Sequence, residues 1–263
     1  MMRTIIGRAE WNKYYYHASQ KKGQEKIEGE NQEEENAKVA YCLEQLKKKE
    51  YINKTEYSLD EFLDFRQKVH DDFFIYWTAI NPPMEHLLFA LSEILKPKTI
   101  LGIGIFTGNP VIWSLGPAIQ GLYKATDMAA VEINKEHAQI CQENMDKVSP
   151  NQKIKIHAAD GFQVIKQYEP QSIDLLYLDA NGRDPCGKNW FKRRKNTKRI
   201  NYCLLKRGYK KIKDKGWTMC HNAYQPSFKK KAADYLHFTT KNEYFTKTAT
   251  IAIDEMGLEF TQK

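Results

Sequence analysis

The feature that most constrains this chain of 263 residues is an apolar run that ends in a cluster of glycines. The run Ile100-Leu-Gly-Ile-Gly-Ile-Phe-Thr-Gly108 leads directly into Asn109-Pro110, where a helix is predicted to begin. Glycine allows positive φ angles and close approach of a ligand to the backbone, and the N–H groups at a helix N-terminus favour carboxylate or phosphate groups. The turn therefore indicates either a site for a polar ligand or an ordinary strand-to-helix connection.

Three later segments repeat the pattern of a short apolar strand that ends beside a polar or acidic residue. They end at Glu132, at Asp160-Gly161 and at Asp179, with the spacing of successive strand–helix units. Such alternation favours a parallel sheet with right-handed crossovers, in which ligands bind at the carboxyl ends of the strands. Nucleotide-binding folds place the acid that holds ribose hydroxyls at about the position of Glu132.

Six motifs in this order resemble the class I S-adenosylmethionine-dependent methyltransferases, and within them the small-molecule O-methyltransferases of the catechol O-methyltransferase type. They are the glycine turn, Val131-Glu132, Ala159-Asp160-Gly161, Leu178-Asp179-Ala180, Gly216-Trp-Thr-Met-Cys-His-Asn222 and Ile253-Asp-Glu-Met-Gly-Leu-Glu-Phe260. The resemblance implies an α/β fold with a Rossmann-like, doubly wound, seven-stranded sheet and an antiparallel C-terminal strand. It divides the chain into a helical N-terminal extension, residues 1–80, and a methyltransferase domain, residues 81–263.

The same resemblance implies a binding site for S-adenosylmethionine at the carboxyl edge of the sheet. The glycines of the turn would line the methionine part of the donor, Glu132 would accept both ribose hydroxyls, and Asp160 would reach the adenine amino group. Relatives usually carry an acid at the position of Gly102, so contacts to the donor amino group must be arranged differently here. The implied donor-binding residues are Gly102, Gly104, Gly108, Glu132, Asp160 and Gly161.

A second implied site concerns catalysis and a divalent metal. Metal-dependent relatives use an Asp after one strand and an Asp-Asn pair after the next, and this chain offers Asp179 and His221-Asn222. Imidazole in place of carboxylate shifts the preference from Mg²⁺ toward Mn²⁺, Fe²⁺ or Zn²⁺. Two hypotheses stay open: Asp179, His221 and Asn222 hold an altered metal, or the metal is lost and His221 is a general base, which we favour. Relatives often carry a Lys three residues after the first Asp, where this chain has Gly182.

The net charge of +8 is concentrated in residues 188–215, which contain thirteen Lys and Arg and one Asp. We predict a helix from Lys188 to about Lys206 and favour a solvated basic face over a surface for nucleic-acid phosphates. An RNA or tRNA methyltransferase that uses this segment is therefore one alternative function. Another is an enzyme that uses the sulfonium for non-methyl chemistry, such as cyclisation of the aminobutyrate chain of the donor.

The composition of the chain guides the expectations for its location, its substrate and its cysteines. No apolar run approaches the ~18 residues of a membrane span, and the first residues lack the apolar core of a signal peptide. We expect a soluble, cytoplasmic enzyme with no membrane partner, which methylates an oxygen or nitrogen of a small-molecule or peptide-sized substrate. The five cysteines form no Cys-x-x-Cys pair and are expected to be reduced thiols. Formation of a homodimer stays open.

The extension is expected to pack partly on the core and to cap the acceptor pocket. Four aromatic residues, Trp11 and Tyr14–Tyr16, precede a polar tract that reaches residue 35. Helices are predicted over residues 36–49 and from Ser58, where Ser58 and Glu61 form a capping-box pattern. Asn81-Pro82-Pro83 is predicted to begin the next helix. The apolar stripe that follows Ser58 is Phe62, Phe65, Val69, Phe73 and Trp77.

Overall fold

The structure is a computed structural model that describes residues 2–7, 11, 31–75, 80–151, 153–182, 198–222, 232–254 and 256–263. Tyr14–Tyr16, Trp77 and residues 188–197 of the basic segment lie outside the described residues. The same is true of the first part of a helix predicted over residues 226–237. Nothing in the described ranges is a helix long and apolar enough to cross a membrane.

The described elements alternate between strands and helices from residue 99 onward. A short 3₁₀ helix, Tyr209–Lys211, leads directly into the sixth strand. The strands are β1 (Thr4–Gly7), β2 (Thr99–Ile103), β3 (Asp127–Glu132), β4 (Lys155–Ala158), β5 (Ile173–Leu178), β6 (Ile212–His221), β7 (Lys247–Ala252) and β8 (Leu258–Gln262). The helices are α1 (Gln32–Lys48), α2 (Leu59–Asp72), α3 (Pro82–Leu95), α4 (Asn109–Ile119), α5 (Lys135–Val148), α6 (Gly161–Gln167), α7 (Arg199–Gly208) and α8 (Ala233–Thr239).

One sheet with the strand order β1-β7-β8-β6-β5-β2-β3-β4 forms the centre of the molecule. β8 pairs antiparallel with β6 and β7, and the other neighbouring pairs are parallel. The doubly wound sheet with an antiparallel C-terminal strand is thus confirmed. It has eight strands rather than the seven expected, because Thr4–Gly7 adds a strand beside β7 that the sequence did not predict.

The parallel strands bring their carboxyl ends to one edge of the sheet. Ile103 lies level with Val131 on one side and with Leu178 on the other, and Leu178 lies level with Cys220. These strands are apolar along nearly their whole length because helices cover both faces of the sheet. The polar residues that follow each strand are therefore gathered at a single edge, as the sequence predicted.

The helices of the extension share one apolar core with the sheet. The stripe of α2 is buried at Phe62, Phe65, Val69 and Phe73, as predicted, and it packs in the same cluster as Ile100 of β2. Trp11 packs edge-on against Tyr41 of α1, with ring centroids 5.3 Å apart. This continuity means that the extension contributes to the stability of the methyltransferase domain.

The helix starts follow the sequence in one case and depart from it in another. Asn81 caps α3 by accepting a hydrogen bond from the backbone N–H of Met84 at 3.0 Å, as predicted. The capping box of α2 is absent. The Ser58 hydroxyl and N–H instead donate to the two carboxylate oxygens of Glu93 at 3.0 and 2.9 Å, so a long-range contact replaces the local one.

A buried polar network joins the first three helices. Arg66 of α2 donates to both carboxylate oxygens of Glu35 in α1, and His86 Nδ1 of α3 lies 2.7 Å from Glu35 Oε1. Tyr57 OH contacts the other ring nitrogen of His86, and the Phe62 ring stacks on the imidazole at 4.1 Å. Neutral His86 can donate through Nδ1 to Glu35 and accept at Nε2 from the Tyr57 hydroxyl, so both of its ring nitrogens are satisfied.

The cysteines correct one expectation. Cys42, Cys141 and Cys220 are buried free thiols, but Cys203 is disulfide-bonded, so not all five are reduced. Burial raises the pKa of the Cys42 thiol to about 12 and leaves it unreactive at neutral pH.

Candidate donor and acceptor site

Glu132 lies at the carboxyl end of β3 and ties the glycine turn to the start of α5. Its Oε2 accepts from the backbone N–H of Phe106 at 3.0 Å, and its Oε1 accepts from that of Asn134 at 2.9 Å. The side chain is 9% exposed, so the carboxylate is held but still reaches the surface of the sheet edge. A carboxylate oxygen can accept more than one hydrogen bond, which leaves acceptor capacity for a ligand's hydroxyl groups.

Two glycines of the turn have conformations that other residues rarely adopt. Gly104 has a φ of +78°, and a Cβ atom there would lie 2.2 Å from Cα of Ala180, after β5. Gly108 has a φ of +98° and faces the side chains of Cys141 and Met145 in α5. Both positions require glycine for backbone conformation and for close packing, and together they shape the turn before α4.

Gly102, predicted to line the donor, lies within β2 and packs closely against α4. Its φ is ordinary, and a Cβ atom there would lie 2.7 Å from Val111 Cγ2 in α4. The space that an acidic side chain would need is therefore filled by α4. This packing explains why the acid of the relatives can be missing here, and it leaves only backbone atoms of Gly102 for any contact with a donor.

Asp160 and Gly161 follow β4, the strand beside β3. Asp160 is exposed, and its Oδ1 caps α6 by accepting from the N–H of Phe162 at 2.8 Å. The N–H of Ala159 donates to the Glu132 carbonyl at 3.1 Å, which brings the two strand ends together. A Cβ atom on Gly161 would lie 2.4 Å from Ile103 Cγ2, so this glycine permits α6 to pack on β2.

Ile133 is an exposed aliphatic residue beside Glu132 that the sequence analysis did not single out. It lies between Glu132 and the cap of α5, and it is 69% exposed, whereas most aliphatic residues of the sheet are buried. Its signal in the sequence is an apolar residue directly after the strand-ending acid. An exposed aliphatic side chain at this position offers a surface for the flat face of a ring.

Asp179, after β5, forms a buried ion pair with Lys198 just before α7. Lys198 Nζ donates to Asp179 Oδ1 at 2.7 Å, and the two side chains are only 8% and 15% exposed. Burial favours the neutral acid, but the Lys198 ammonium and the His221 ring hold the pKa of Asp179 below its ordinary value. Lys198, expected on a solvated basic face, is thus part of this site instead.

His221, at the end of β6, lies between two carboxylates. Its Nδ1 is 3.4 Å from Asp179 Oδ2, and its Nε2 is 2.9 Å from Asp254 Oδ2. Burial opposes the charged ring, but the two carboxylates prevail and raise the pKa of His221 to about 9. An imidazole that is protonated at neutral pH is a poor proton acceptor, so its surroundings do not support His221 as a general base.

Asp254 is a second residue that sequence reasoning missed in this role. The sequence analysis names it only as part of the motif Ile253–Phe260. It lies between β7 and β8, where its Oδ1 accepts the N–H of Gly257 at 2.5 Å. Because β7 runs parallel to β6, Asp254 also comes to the carboxyl edge beside His221. Asn222, which has a φ of +66°, lies with its Nδ2 3.4 Å from His221 Nδ1.

These residues do not fit a divalent metal. Lys198 and His221 contact the two oxygens of Asp179, and both His221 nitrogens face carboxylates. A metal ligand must present a lone pair, and an ammonium beside the same oxygen repels a dication. Throughout the part of the chain that the structure describes, no group of three His, Cys, Asp or Glu residues is arranged to hold a metal ion.

The side chain of Asn144 in α5 holds the end of the extension against the glycine turn. Its Oδ1 accepts from the N–H of Phe74 at 2.7 Å, and its Nδ2 donates to the carbonyls of Phe74 and Thr107 at 3.1 and 2.9 Å. Asn109 Oδ1 accepts the N–H of Ile80 at 3.3 Å. The chain on both sides of residues 76–79 therefore lies beside the turn.

The sequence model of a family described as O-methyltransferase matches residues 54–199, more than half of the chain. The chain belongs to the O-methyltransferase family. Its match to a catechol O-methyltransferase of Niastella koreensis is 22% identical over 106 residues, which are 39% of this chain and 46% of that protein. This chain thus spans about half the length of the curated relative.

Solved structures of this O-methyltransferase fold superpose on most of the chain. One is the O-methyltransferase of Bacillus cereus in complex with S-adenosylhomocysteine, which has a TM-score of 0.54 at 15% identity and covers 84% of this chain and 96% of its own. Another is an O-methyltransferase of Streptomyces achromogenes involved in tomaymycin synthesis, in complex with S-adenosylmethionine. It has a TM-score of 0.56 at 14% identity, with 89% and 99% covered. At such identities the likeness shows the fold.

Proposed function

We propose that this protein transfers the methyl group of S-adenosylmethionine to an oxygen of a small-molecule or peptide-sized substrate. The observation that carries the proposal is the Glu132 carboxylate, fixed by the N–H groups of Phe106 and Asn134 at the end of β3. An anchored carboxylate beside a glycine turn suits the paired hydroxyls of a ribose. The family membership and the two relatives solved with the donor or its product support the same assignment.

The rest of the donor has suitable surroundings at the same edge. The turn around Gly104 would receive the methionine part, Ile133 would cover a face of the adenine, and Asp160 would accept from the adenine amino group. The backbone atoms of Gly102, Gly108 and Gly161 support these positions through the packing of α4, α5 and α6. We place the reacting methyl group toward Asp179 and His221, at the ends of β5 and β6.

Methyl transfer requires in-line positioning more than covalent help from the protein. The acceptor oxygen forms a bond to the methyl carbon while the carbon–sulfur bond breaks, and the sulfur keeps the electron pair as a neutral thioether. The acceptor proton must leave to water or to a base. Because Asp179 is ion-paired and both ring nitrogens of His221 face carboxylates, neither side chain is free to take the proton, and acceptors whose hydroxyl ionises readily, such as phenols and carboxylic acids, fit this site best.

Calorimetric titration with S-adenosylmethionine and S-adenosylhomocysteine tests the donor site. We expect Glu132→Gln to weaken both affinities by about 100-fold, since hydrogen bonds to a charged group are worth about 1.5–3 kcal/mol each. Asp127→Asn is the matched control, because Asp127 begins the same strand and contacts the exposed Lys155 instead. Absence of binding by the wild type would disprove the assignment.

Product analysis separates methyl transfer from the non-methyl alternative. Methyl transfer releases S-adenosylhomocysteine, whereas cyclisation of the aminobutyrate chain releases methylthioadenosine. The family match favours neither this alternative nor a nucleic-acid substrate. Of the basic residues, Lys198 is engaged with Asp179 and is not available to a phosphate backbone.

We further propose that the extension caps the acceptor pocket, which the contacts of Asn144 with Phe74 and Thr107 support. Deleting residues 1–35 would not test this cleanly, because it removes β1 and Glu35 from the fold. Replacing residues 12–30 by a Gly/Ser linker of equal length preserves both. We expect changed turnover against a panel of phenols and carboxylic acids with unchanged affinity for S-adenosylhomocysteine. An unchanged turnover profile would refute a capping role for residues 12–30.

A further inference from the structure

The strand end at Asp179 is held together by two contacts with the start of α7. The N–H of Ala180 donates to Asn201 Oδ1 at 2.9 Å, and Lys198 Nζ donates to Asp179 Oδ1 at 2.7 Å. Asn201 is 2% exposed, and its own N–H is bonded to the Lys198 carbonyl at 3.2 Å. The side chain of Lys198 is therefore held by Asp179 and its backbone carbonyl by Asn201, unlike a lysine that moves freely on the surface.

The second oxygen of Asp179 faces His221 Nδ1, and His221 Nε2 donates to Asp254. Asp179, His221 and Asn222 are the residues expected at the positions of metal ligands. The atoms by which Asp179 and His221 could bind a metal thus contact protein groups instead. An ammonium at 2.7 Å balances the charge of Asp179 inside a site where little water reaches. Breaking such a buried pair to admit another cation would leave the ammonium without its partner.

We propose that Lys198 takes the place of the divalent metal at this site and that the protein works with an internal cation. This inference rests on the proposed function, because it assigns the site to methyl transfer. A bound metal contacts two neighbouring oxygens of a substrate at once, whereas an ammonium is a single point charge. The acceptor class is consequently a compound with one ionisable hydroxyl or carboxyl group, with no requirement for a vicinal diol.

Manganese binding tests the proposal without any need for turnover. The full-length protein, stripped with EDTA and desalted, is titrated with MnCl₂ while free Mn²⁺ is followed by electron paramagnetic resonance, with and without S-adenosylhomocysteine. We expect no stoichiometric binding by the wild type. Stoichiometric binding that Asp179→Asn abolishes would overturn the proposal and would leave Lys198 as a neighbour of a metal rather than its substitute.

Variants of Lys198 provide the positive arm. Lys198→Ala leaves Asp179 uncompensated and is expected to raise the Mn²⁺ affinity by about tenfold or more, whereas Lys198→Arg keeps the charge and should exclude Mn²⁺ as the wild type does. Lys206→Ala, on the exposed side of the same helix, is the matched control. Equal binding by the wild type and Lys198→Ala would also overturn the proposal, because the ammonium would then not be what excludes the metal.

Misfolding of a variant and loss of the donor site must both be distinguished from a change in metal binding. Circular dichroism and thermal unfolding establish that each variant is folded, and Lys198→Arg remains informative if Lys198→Ala is not. Calorimetry with S-adenosylhomocysteine on the same samples reports the donor site separately. Loss of donor binding in the wild type would refute the proposed function, while the manganese titration would still decide whether Lys198 excludes a metal.

Discussion

Asn144 and Phe74 are joined by a pair of reciprocal hydrogen bonds: the Phe74 N–H donates to Asn144 Oδ1 at 2.7 Å, and Asn144 Nδ2 donates to the Phe74 carbonyl at 3.1 Å. The same amide group also bonds the Thr107 carbonyl in the glycine turn. One buried side chain of α5 therefore fixes the position of the extension relative to the proposed donor site.

Asn144→Ala should lower both stability and donor affinity. The variant removes hydrogen bonds to three backbone groups, of which the Thr107 carbonyl is buried and the two of Phe74 are partly buried, so we expect a loss of about 2–4 kcal/mol in the free energy of unfolding. Urea denaturation measures the loss, and calorimetry with S-adenosylhomocysteine measures affinity. Gln139→Ala is the control, because Gln139 is exposed on the same helix and contacts only Glu143 among the described side chains. Equal stability and equal affinity for the two variants would contradict the role of Asn144 in fixing the extension beside the glycine turn.

Gly104→Ala should be far more harmful than Gly121→Ala. Both glycines have φ angles close to +78°, so the backbone strain of the two substitutions, about 1 kcal/mol each, cancels in the comparison. At Gly104 the new methyl group would lie 2.2 Å from Cα of Ala180, whereas nothing lies within 4 Å at Gly121. We expect Gly104→Ala to abolish donor binding and to lower the midpoint temperature of thermal unfolding much more than Gly121→Ala does. Similar midpoints would show that the turn can move away from Ala180.

Arg3→Met should destabilise the fold through Glu259. Glu259 of β8 is fully buried, and Arg3 Nε bonds its Oε1 at 3.0 Å. Removing one partner of a buried ion pair costs about 3–5 kcal/mol, and the partial exposure of Arg3 places the expected value near the lower end. Adding Glu259→Gln should restore part of the loss, since the threonine hydroxyls around this side chain can still bond an amide.

The exposed ion pair of Lys155 with Asp127 is the control for that measurement. Its removal by Lys155→Met should cost less than about 1 kcal/mol. If Arg3→Met lowers the free energy of unfolding by no more than Lys155→Met does, the neighbouring hydroxyl groups are sufficient to stabilise the buried Glu259 carboxylate.

Stability should fall as the solution becomes acidic, because of His86. Burial lowers the pKa of His86 below its ordinary value of 6.5, and this outweighs the opposing effect of Glu35. The unfolded chain therefore takes up a proton below about pH 6.5 that the folded chain does not, and the folded state loses stability from there downward. Arg66 and Glu85 are the other charged groups that act on this ring.

Glu35 adds a second loss at lower pH. Burial favours its neutral form, but hydrogen bonds from His86 and Arg66 prevail and hold the pKa of Glu35 below its ordinary value of 4.5. The contribution of ionised Glu35 to the free energy of unfolding is complete above about pH 4.5. It is lost as the pH falls through the lowered pKa that Glu35 has in the folded state. Urea denaturation between pH 8 and pH 4 should show a slope that His86→Gln flattens between pH 7 and pH 5. The same substitution at the exposed His237 should leave the slope unchanged.

The buried strands were predictable because their own residues carry the signal. β2 coincides with the apolar run that enters the glycine turn, and β5 with the apolar run that ends at Asp179, since both runs are bounded by polar or glycine residues. β1 was missed because four residues contain too little pattern, and what makes them a strand is the pairing of Thr4 with Ala249 far along the chain. The capping box at Ser58 failed for the same reason, because a distant carboxylate competes with the local one.

The residues of the proposed donor site were easier to locate from the sequence than the residues around Asp179 and His221. Glu132 and Asp160 follow strands directly, so position along the chain indicates where they lie. Lys198 is 19 residues from Asp179 and was counted among many basic residues, and composition alone does not reveal which one is buried. Asp254 was named only as part of a motif, and its contact with His221 depends on the parallel arrangement of β6 and β7.

The strand β1 has a consequence for how the molecule assembles. Arg3 and Glu259 are separated by 256 residues, so a chain emerging from the ribosome carries β1 without a partner until β7 and β8 follow. During that interval Arg3 has no carboxylate to bind, and the backbone groups along the edge of β1 are unpaired. Closure of this edge is then a late event in folding, and slow release or truncation of the last strands should favour aggregation.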